Sequence, residues 1–281
     1  MNEPATGEIP PQGMRFGKGQ EAHERFHNQY ALLMAMGTVD GLRRAMPELR
    51  TFILSRAGSA GIQRYAANWM GDNCSRWDHL WMSMPMALGF GVSGQPFVGA
   101  DIGGFSESSN AELFVRWMQC GVLTPFCRNH SELGNIDQYA WAFGDVIEEL
   151  CRQALGLRYR LMPYLYAHAR EASRSGAPVM RAMALAFPTN PLLRGYETQF
   201  MCGDTLLVAP VLANGVRAWA TVYAAQIWGA EAAAGSSIGM AAGASRLVAE
   251  FNRAFWYALV HVPTGTPLFL GRLDDPSTAH A

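Results

Sequence analysis

Apolar positions recur at helical spacing through residues 22–46, at Phe26, Tyr30, Leu32, Leu33, Met36, Leu42 and Met46, and predict an amphipathic helix. A different rhythm follows. Residues 51–54 and 65–70 are short β-rich runs, the first ending in Ser55-Arg56-Ala57-Gly58 and the second in Gly71-Asp72-Asn73. Residues 77–88 read as helix, 96–99 as a strand running into Asp101, 110–120 as helix, and 122–126 as a strand running into His130. Residues 139–172 close the series as one long helix or a broken pair. Strands alternating with helices at this spacing imply right-handed crossovers and a parallel sheet, so the expected class is α/β. The pattern suits a (β/α)₈ barrel and a doubly wound sheet equally well.

Past Gly176 the alternation stops. Residues 178–183, 205–212 and 218–223 read as strands between Gly and Pro punctuation, with no helix long enough for a crossover, and predict a small β-domain from about residue 177. Residues 224–244 are rich in Ala, Gly and Ser without period, and no structure is assigned to them.

A chain of 281 residues with 49% hydrophobic residues can bury a sizeable core. Its 22 basic and 23 acidic residues nearly cancel, which argues against a nucleic-acid partner. No apolar run reaches 18 residues and no leader pattern opens the chain, so neither a membrane span nor a secretion signal is expected. Five scattered cysteines without a Cys-x-x-Cys pair fit neither a disulfide framework nor a zinc site; a cytoplasmic location is the expectation.

Chemistry gathers where the apolar runs end. Asp72, then Asp101 in Asp101-Ile102-Gly103-Gly104-Phe105, then Arg128-Asn129-His130-Ser131 each stand just beyond a strand-like run, where parallel α/β folds bind ligands. Bland readings exist for each: Asp72 with Ser75 could cap the helix that starts at Trp77, Asp101 could be a turn residue, and His130 a structural histidine. Gly89-Phe90-Gly91-Val92-Ser93-Gly94 has dinucleotide-binding spacing but follows a helix and precedes a strand, so it reads as a tight loop.

Together with Met1-Asn2-Glu3-Pro4, Trp69-Met70-Gly71-Asp72-Asn73 and Tyr159-Arg160-Leu161-Met162-Pro163-Tyr164-Leu165-Tyr166, these motifs resemble glycoside hydrolase family 31, the α-glucosidase and α-xylosidase family. The resemblance runs from residue 1 to about 215 and is poor after about 217. It implies a partial (β/α)₈ TIM barrel, strands five to eight, over residues 1–176, followed by a small, incomplete β-domain over 177–281. It also implies a retaining α-glycosidase acting on terminal α-linked glucose or related sugars, with Asp72 as general acid and base. Retention needs two carboxyl groups about 5–5.5 Å apart, one ionised to attack and one holding a proton for the leaving oxygen. By the same resemblance Arg56, Asp101 and His130 grip the sugar, Trp69 and Phe105 wall the pocket against its apolar C–H faces, and no metal or organic cofactor is needed. The nucleophile of the family is the aspartate immediately before Met-Asn-Glu-Pro, so it is expected upstream of Met1. The chain then resembles the carboxy-terminal part of an enzyme, inactive alone, whose partners are an α-glucoside or related oligosaccharide and a separate amino-terminal half of the barrel. The rival reading is a non-catalytic sugar-binding or fold-complementing remnant.

Overall fold

The computed structural model describes residues 13–214 and, beyond them, the backbone of five strands within residues 222–273. The Met1-Asn2-Glu3-Pro4 motif lies outside the described residues. A two-stranded antiparallel hairpin, β1 (Arg15–Phe16) and β2 (Glu21–Ala22), leads into the amphipathic run. That run folds as α1 (His23–Phe26), one 3₁₀ turn (His27–Gln29) and α2 (Tyr30–Ala45). The inner face of α2 buries Ala31, Ala35 and Val39 against Ile53, Ile62 and Ala66.

Next come β3 (Leu54–Ser55), β4 (Ala67–Trp69), α3 (Trp77–Val92), β5 (Val98–Gly99), β6 (Asp101–Ile102), α4 (Ala111–Gly121), β7 (Arg128–Asn129) and α5 (Asp145–Ser175). β3 pairs with β4, β4 with β5, and β6 with β7, all parallel, as the alternating pattern requires. The strands are short, but single bonds extend the ladders: Ala67 N–H donates to Ile53 C=O (2.9 Å), Met70 N–H to Gly99 C=O (3.1 Å) and Phe126 N–H to Val98 C=O (3.1 Å). Asn110 starts α4, its side-chain oxygen accepting from Leu113 N–H at 3.0 Å. α5 is one unbroken helix despite Pro163 in its interior.

Three expectations change. Residues 122–126 form a turn rather than a strand, and the strand is Arg128–Asn129. The reason is Arg158, whose guanidinium takes the carbonyls of Val122 (2.8 Å), Thr124 (2.7 Å) and Pro125 (3.0 Å), groups a strand would have offered to a neighbour. The Gly-rich segment at 89–94 is helical through Val92, with only its last two residues in a turn. Residues 178–183 are split: β8 (Met180–Ala182) stops where α6 (Met183–Ala186) begins.

The later part is a six-stranded antiparallel sheet. Its members are β8, β9 (Phe200–Cys202), β10 (Leu206–Ala209), β11 (Val222–Gln226), β14 (Phe255–His261) and β15 (Thr266–Leu273), in the order β15-β14-β11-β10-β9-β8. β12 (Gly235–Ser237) and β13 (Val248–Glu250) pair with each other. Of the run expected at 218–223, residues 218–221 lie outside the described residues; β11 and β12 enter the stretch left unassigned. Among the described residues no helix is long and apolar enough to cross a membrane.

One core joins the two parts. Leu80, Met84, Val98, Phe114, Trp117 and Leu165 bury in the same cluster as Met180, Phe200, Cys202 and Val208. A polar seam runs beside it. Tyr164 donates to Cys202 C=O (2.6 Å), and the two ring nitrogens of His168 face Glu171 (2.8 Å) and Asp204 (3.4 Å). Arg181 binds the same Glu171 oxygen at 2.8 Å. Gly203 makes this seam possible: at φ +66°, a Cβ there would lie 2.2 Å from His168 Nε2 and 2.5 Å from the Tyr164 hydroxyl.

Gly203→Ala is therefore expected to lower stability by roughly 2–4 kcal/mol, combining left-handed strain with overpacking, read from urea or thermal unfolding. A second expectation concerns acid. His168 first, and then Arg181, hold the Glu171 carboxyl below its ordinary value. A depressed folded-state pKa contributes stability that is present above the unfolded glutamate value of about 4.3 and fades as pH falls below it. Glu171→Gln should flatten the acid limb of the stability–pH curve below about pH 4.5 relative to the parent.

Candidate active site

The chain brings its polar strand exits to one place. Arg56, just after β3, donates to Asp72 Oδ2 at 2.7 Å, and both side chains are partly exposed, 35% and 47%. Asp72 does not cap α3: Ser75 sends its hydroxyl to Gly103 C=O (2.7 Å) and Glu107 C=O (2.9 Å), and α3 starts at Trp77, after Arg76, without a side-chain cap. What orders the Asp72 loop is its neighbour Asn73. The Asn73 amide donates to Asp101 C=O (3.0 Å) and accepts from Phe105 N–H (3.0 Å), while its backbone carbonyl accepts from Phe105 and Ser106 N–H at 2.8 and 2.9 Å. The loop carrying Asp72 and the loop carrying Phe105 are thus bound as one unit.

Asp101 sits beneath them with no exposure. Its Oδ1 accepts from Arg128 Nε (3.1 Å) and Nη2 (2.5 Å), a pair that spans the parallel β6–β7 ladder. Burial pushes the Asp101 carboxyl above its ordinary value; Arg128 and then His130 pull it down, and the charge of Asp72 pushes it up again. The Arg128 guanidinium also lies over the Trp69 ring, 5.1 Å from its centroid. Among the described residues, Asp101 Oδ2 and Trp69 Nε1 are buried without a hydrogen-bond partner.

Phe105 stacks on His130 at 5.1 Å with 29° between the rings. The Phe105 carbonyl is held by Glu132 N–H (3.0 Å) and the Asn135 amide (2.8 Å). Gln138 fastens the remaining edge, its amide donating to Ile102 C=O (2.9 Å), Gly104 C=O (3.2 Å) and Asn129 Oδ1 (3.0 Å). Gly104 lets the loops meet, since a Cβ there would lie 2.4 Å from Ser75 N.

Arg56, Asp72, Asp101, Phe105 and His130 therefore form one contiguous cluster, with Trp69 joined to it through Arg128. The arrangement is asymmetric. Asp101 is buried under the site, with one oxygen committed to Arg128, while Asp72 and His130 stand at the surface. Sequence reasoning passed over Arg128, Asn73, Asn135 and Gln138. Arg128 and Asn73 lay inside quoted motifs, whereas Asn135 and Gln138 carried no signal, because amides in a loop look like any polar loop residue. Among the described residues no group of His, Cys, Asp or Glu could hold a metal ion.

The TIM-barrel domain model of glycosyl hydrolases family 31 matches residues 1–168, and the C-terminal domain model of that family matches residues 176–234. The chain belongs to glycosyl hydrolase family 31. It is 42% identical over 192 residues to Alpha-glucosidase 2 of Bacillus thermoamyloliquefaciens, covering 68% of this chain and 24% of that protein. To Neutral alpha-glucosidase AB of Homo sapiens it is 40% identical over 219 residues, covering 76% and 23%. Among solved structures it is similar to a family 31 α-glucosidase from Bacteroides thetaiotaomicron, with TM-score 0.66 and 34% identity over 92% of this chain and 42% of that one. The family 31 dextranase of Flavobacterium johnsoniae complexed with glucose gives TM-score 0.69 and 29% identity, over 95% and 30%. The chain spans about a quarter of the length of these curated relatives, and its fold is part of a family 31 TIM barrel with the domain that follows it.

The Asp101–Arg128 pair gives a test of the site's architecture. Arg128→Met leaves a carboxyl at zero exposure without its cation, which is expected to cost about 3 kcal/mol of stability. It should also move the Asp101 titration further upward, measured by carboxyl-carbon NMR.

Proposed function

We propose that this chain carries the acid/base side and the sugar-gripping wall of a retaining α-glycosidase that acts on terminal α-linked glucose or related sugars. The observation that supports it is the convergence of Arg56, Asp72, Asp101 and His130, far apart in sequence, at the strand exits of parallel βα units. In this reading the parallel strands β3 to β7 correspond to strands five to eight of the barrel.

In this reading Asp72 is the proton carrier. Its carboxyl is half-exposed, and Arg56 holds Oδ2, so the other oxygen can face the glycosidic oxygen. A second carboxylate attacks the anomeric carbon while Asp72 gives its proton to the leaving oxygen. Asp72 then takes a proton from the water that cleaves the glycosyl ester. Arg128 fixes Asp101 with two donors on one oxygen, and the Phe105–His130 stack offers a ring edge and a ring N–H to the sugar. The attacking carboxylate is outside these 281 residues, so the chain alone binds without turnover. Arg56, Asp101 and His130 are compatible with binding alone, which is the second reading, a non-catalytic sugar-binding or fold-complementing unit.

Calorimetry with glucose or a maltose analogue, beside an aryl α-glucoside assay, separates these outcomes. Residues 1–281 are expected to bind glucose with no turnover, Asp72→Asn to keep that binding, and His130→Ala or Arg56→Ala to weaken it by roughly ten- to a hundredfold. Turnover by residues 1–281 that vanishes in Asp72→Asn would place the nucleophile within the chain and overturn this assignment.

A further inference from the structure

The two ring-bearing arms of the site leave one parallel ladder at the same level. Ile102 and Asn129 are the last residues of β6 and β7 and stand opposite each other in register. Phe105 follows the first after Gly103 and Gly104, both left-handed at φ +89° and +92°, and His130 follows the second directly. Two consecutive glycines give Phe105 no stiffness of its own, so bonds from outside its arm have to fix the ring against His130. Gln138 is buried, 6% exposed, against both strand ends. Its Nε2 faces Ile102 C=O and Gly104 C=O on one arm and Asn129 Oδ1 on the other, three acceptors for two hydrogens. Asn129 returns the bond, its Nδ2 donating to Gln138 C=O. Gly103 makes room for this, since a Cβ there would lie 2.6 Å from Gln138 Nε2. Gln138 is held from both sides along the chain: Ile136 N–H donates to Ser108 Oγ at 3.2 Å, and Phe143 stacks on Phe114 of α4 at 4.8 Å.

We infer that Gln138 is a positioning residue for sugar binding: by clamping the ends of β6 and β7 together it sets the spacing and tilt of the Phe105–His130 stack, and through that stack the affinity for a pyranose. The inference rests on the sugar-gripping reading above and names a residue on which the grip depends without touching the sugar. Only a carboxamide suits this place. A carboxylate of the same shape would turn acceptor oxygens toward three further acceptors, and a thioether would fill the volume with no hydrogen to give. A second amide limits the damage that loss of Gln138 can do. Asn135 Nδ2 donates to Phe105 C=O at 2.8 Å and to Ser131 Oγ at 3.0 Å, tying the arms again beyond the rings. Without Gln138 the stack therefore loosens rather than comes apart, and the β6–β7 ladder keeps its Asp101–Arg128 pair. A residue that served only the fold would act differently. Gly203, at the junction of the two parts, is such a residue: its replacement strains the seam around His168.

The test reads the His130 ring protons by NMR and glucose affinity by calorimetry in residues 1–281. Phe105→Ala supplies the His130 signal of a ring without its stacked partner. Gln138→Met and Gln138→Glu are expected to move the His130 signal toward that value and to weaken glucose binding roughly three- to tenfold. Gly203→Ala, destabilised at the other end of α5, should keep the parent's signal and affinity. In the parent, the Gln138 Nε2 protons should exchange with solvent at least roughly tenfold more slowly than those of a free amide, a reading that needs no variant to fold. A folded Gln138 variant with the parent's His130 signal, a Gly203→Ala chain that moves it as far, or Gln138 protons that exchange at the free rate overturns the positioning role. So does a moved signal with unchanged glucose affinity. A moved signal in a chain whose parent binds no glucose leaves the clamp on the stack standing and overturns the sugar-gripping reading instead.

Discussion

Asp101 has no solvent exposure, and the arrangement above it follows from how its charge is met. An isolated buried carboxylate is costly enough that it would take up a proton or force the site open. Here Arg128, one strand over, meets it with two donors on the same oxygen. That pairing fixes the register of β6 against β7 and flattens the guanidinium over Trp69, so a residue of β4 is tied to a residue of β7 across the intervening strand. Because Asp101 also offers its backbone carbonyl to Asn73, the same residue anchors the loop on which Asp72 stands. The pair is better understood as a device for placement than as a source of stability, since a buried ion pair returns little beyond its own desolvation cost.

The α/β alternation was legible because it rests on period, and period survives without knowledge of neighbours. α3, α4 and α5 fall where the apolar spacing put them. What period could not reveal is where a strand gives up its backbone to a side chain. Residues 122–126 have strand composition, but Arg158, more than thirty residues on, takes their carbonyls. β9 was unseen for a related reason: Phe200, Met201 and Cys202 alternate nothing, being buried on both faces between β8 and β10. At the site, the residues named from motifs form a cluster, yet their depths were not readable. Nothing in Asp72 and Asp101 as letters says that one is half-exposed and the other sealed; that difference comes from the ladder beneath Asp101 and the open loop around Asp72.

The two parts of the chain are not independent. β8, β9 and β10 share a core with α3, α4 and α5, and the His168–Glu171–Arg181 seam with Asp204 lies along the same junction. α5 therefore has two unlike faces: one sealed against the antiparallel sheet, the other showing Tyr159, Met162 and Tyr166 to solvent. A helix of 31 residues anchored on one face can hold the strand before it in place.

That division separates what the chain can hold from what it can do. The acid/base candidate, its arginine and the Phe105–His130 stack are all positioned by bonds internal to these residues, through Asn73, Asn135, Gln138 and Arg128. The geometry of this cluster is thus set by bonds among the described residues alone. In the retaining reading proposed above, two carboxyl groups must stand within about 5–5.5 Å of each other, and an Asp72 held in place by its loop defines where the second has to be.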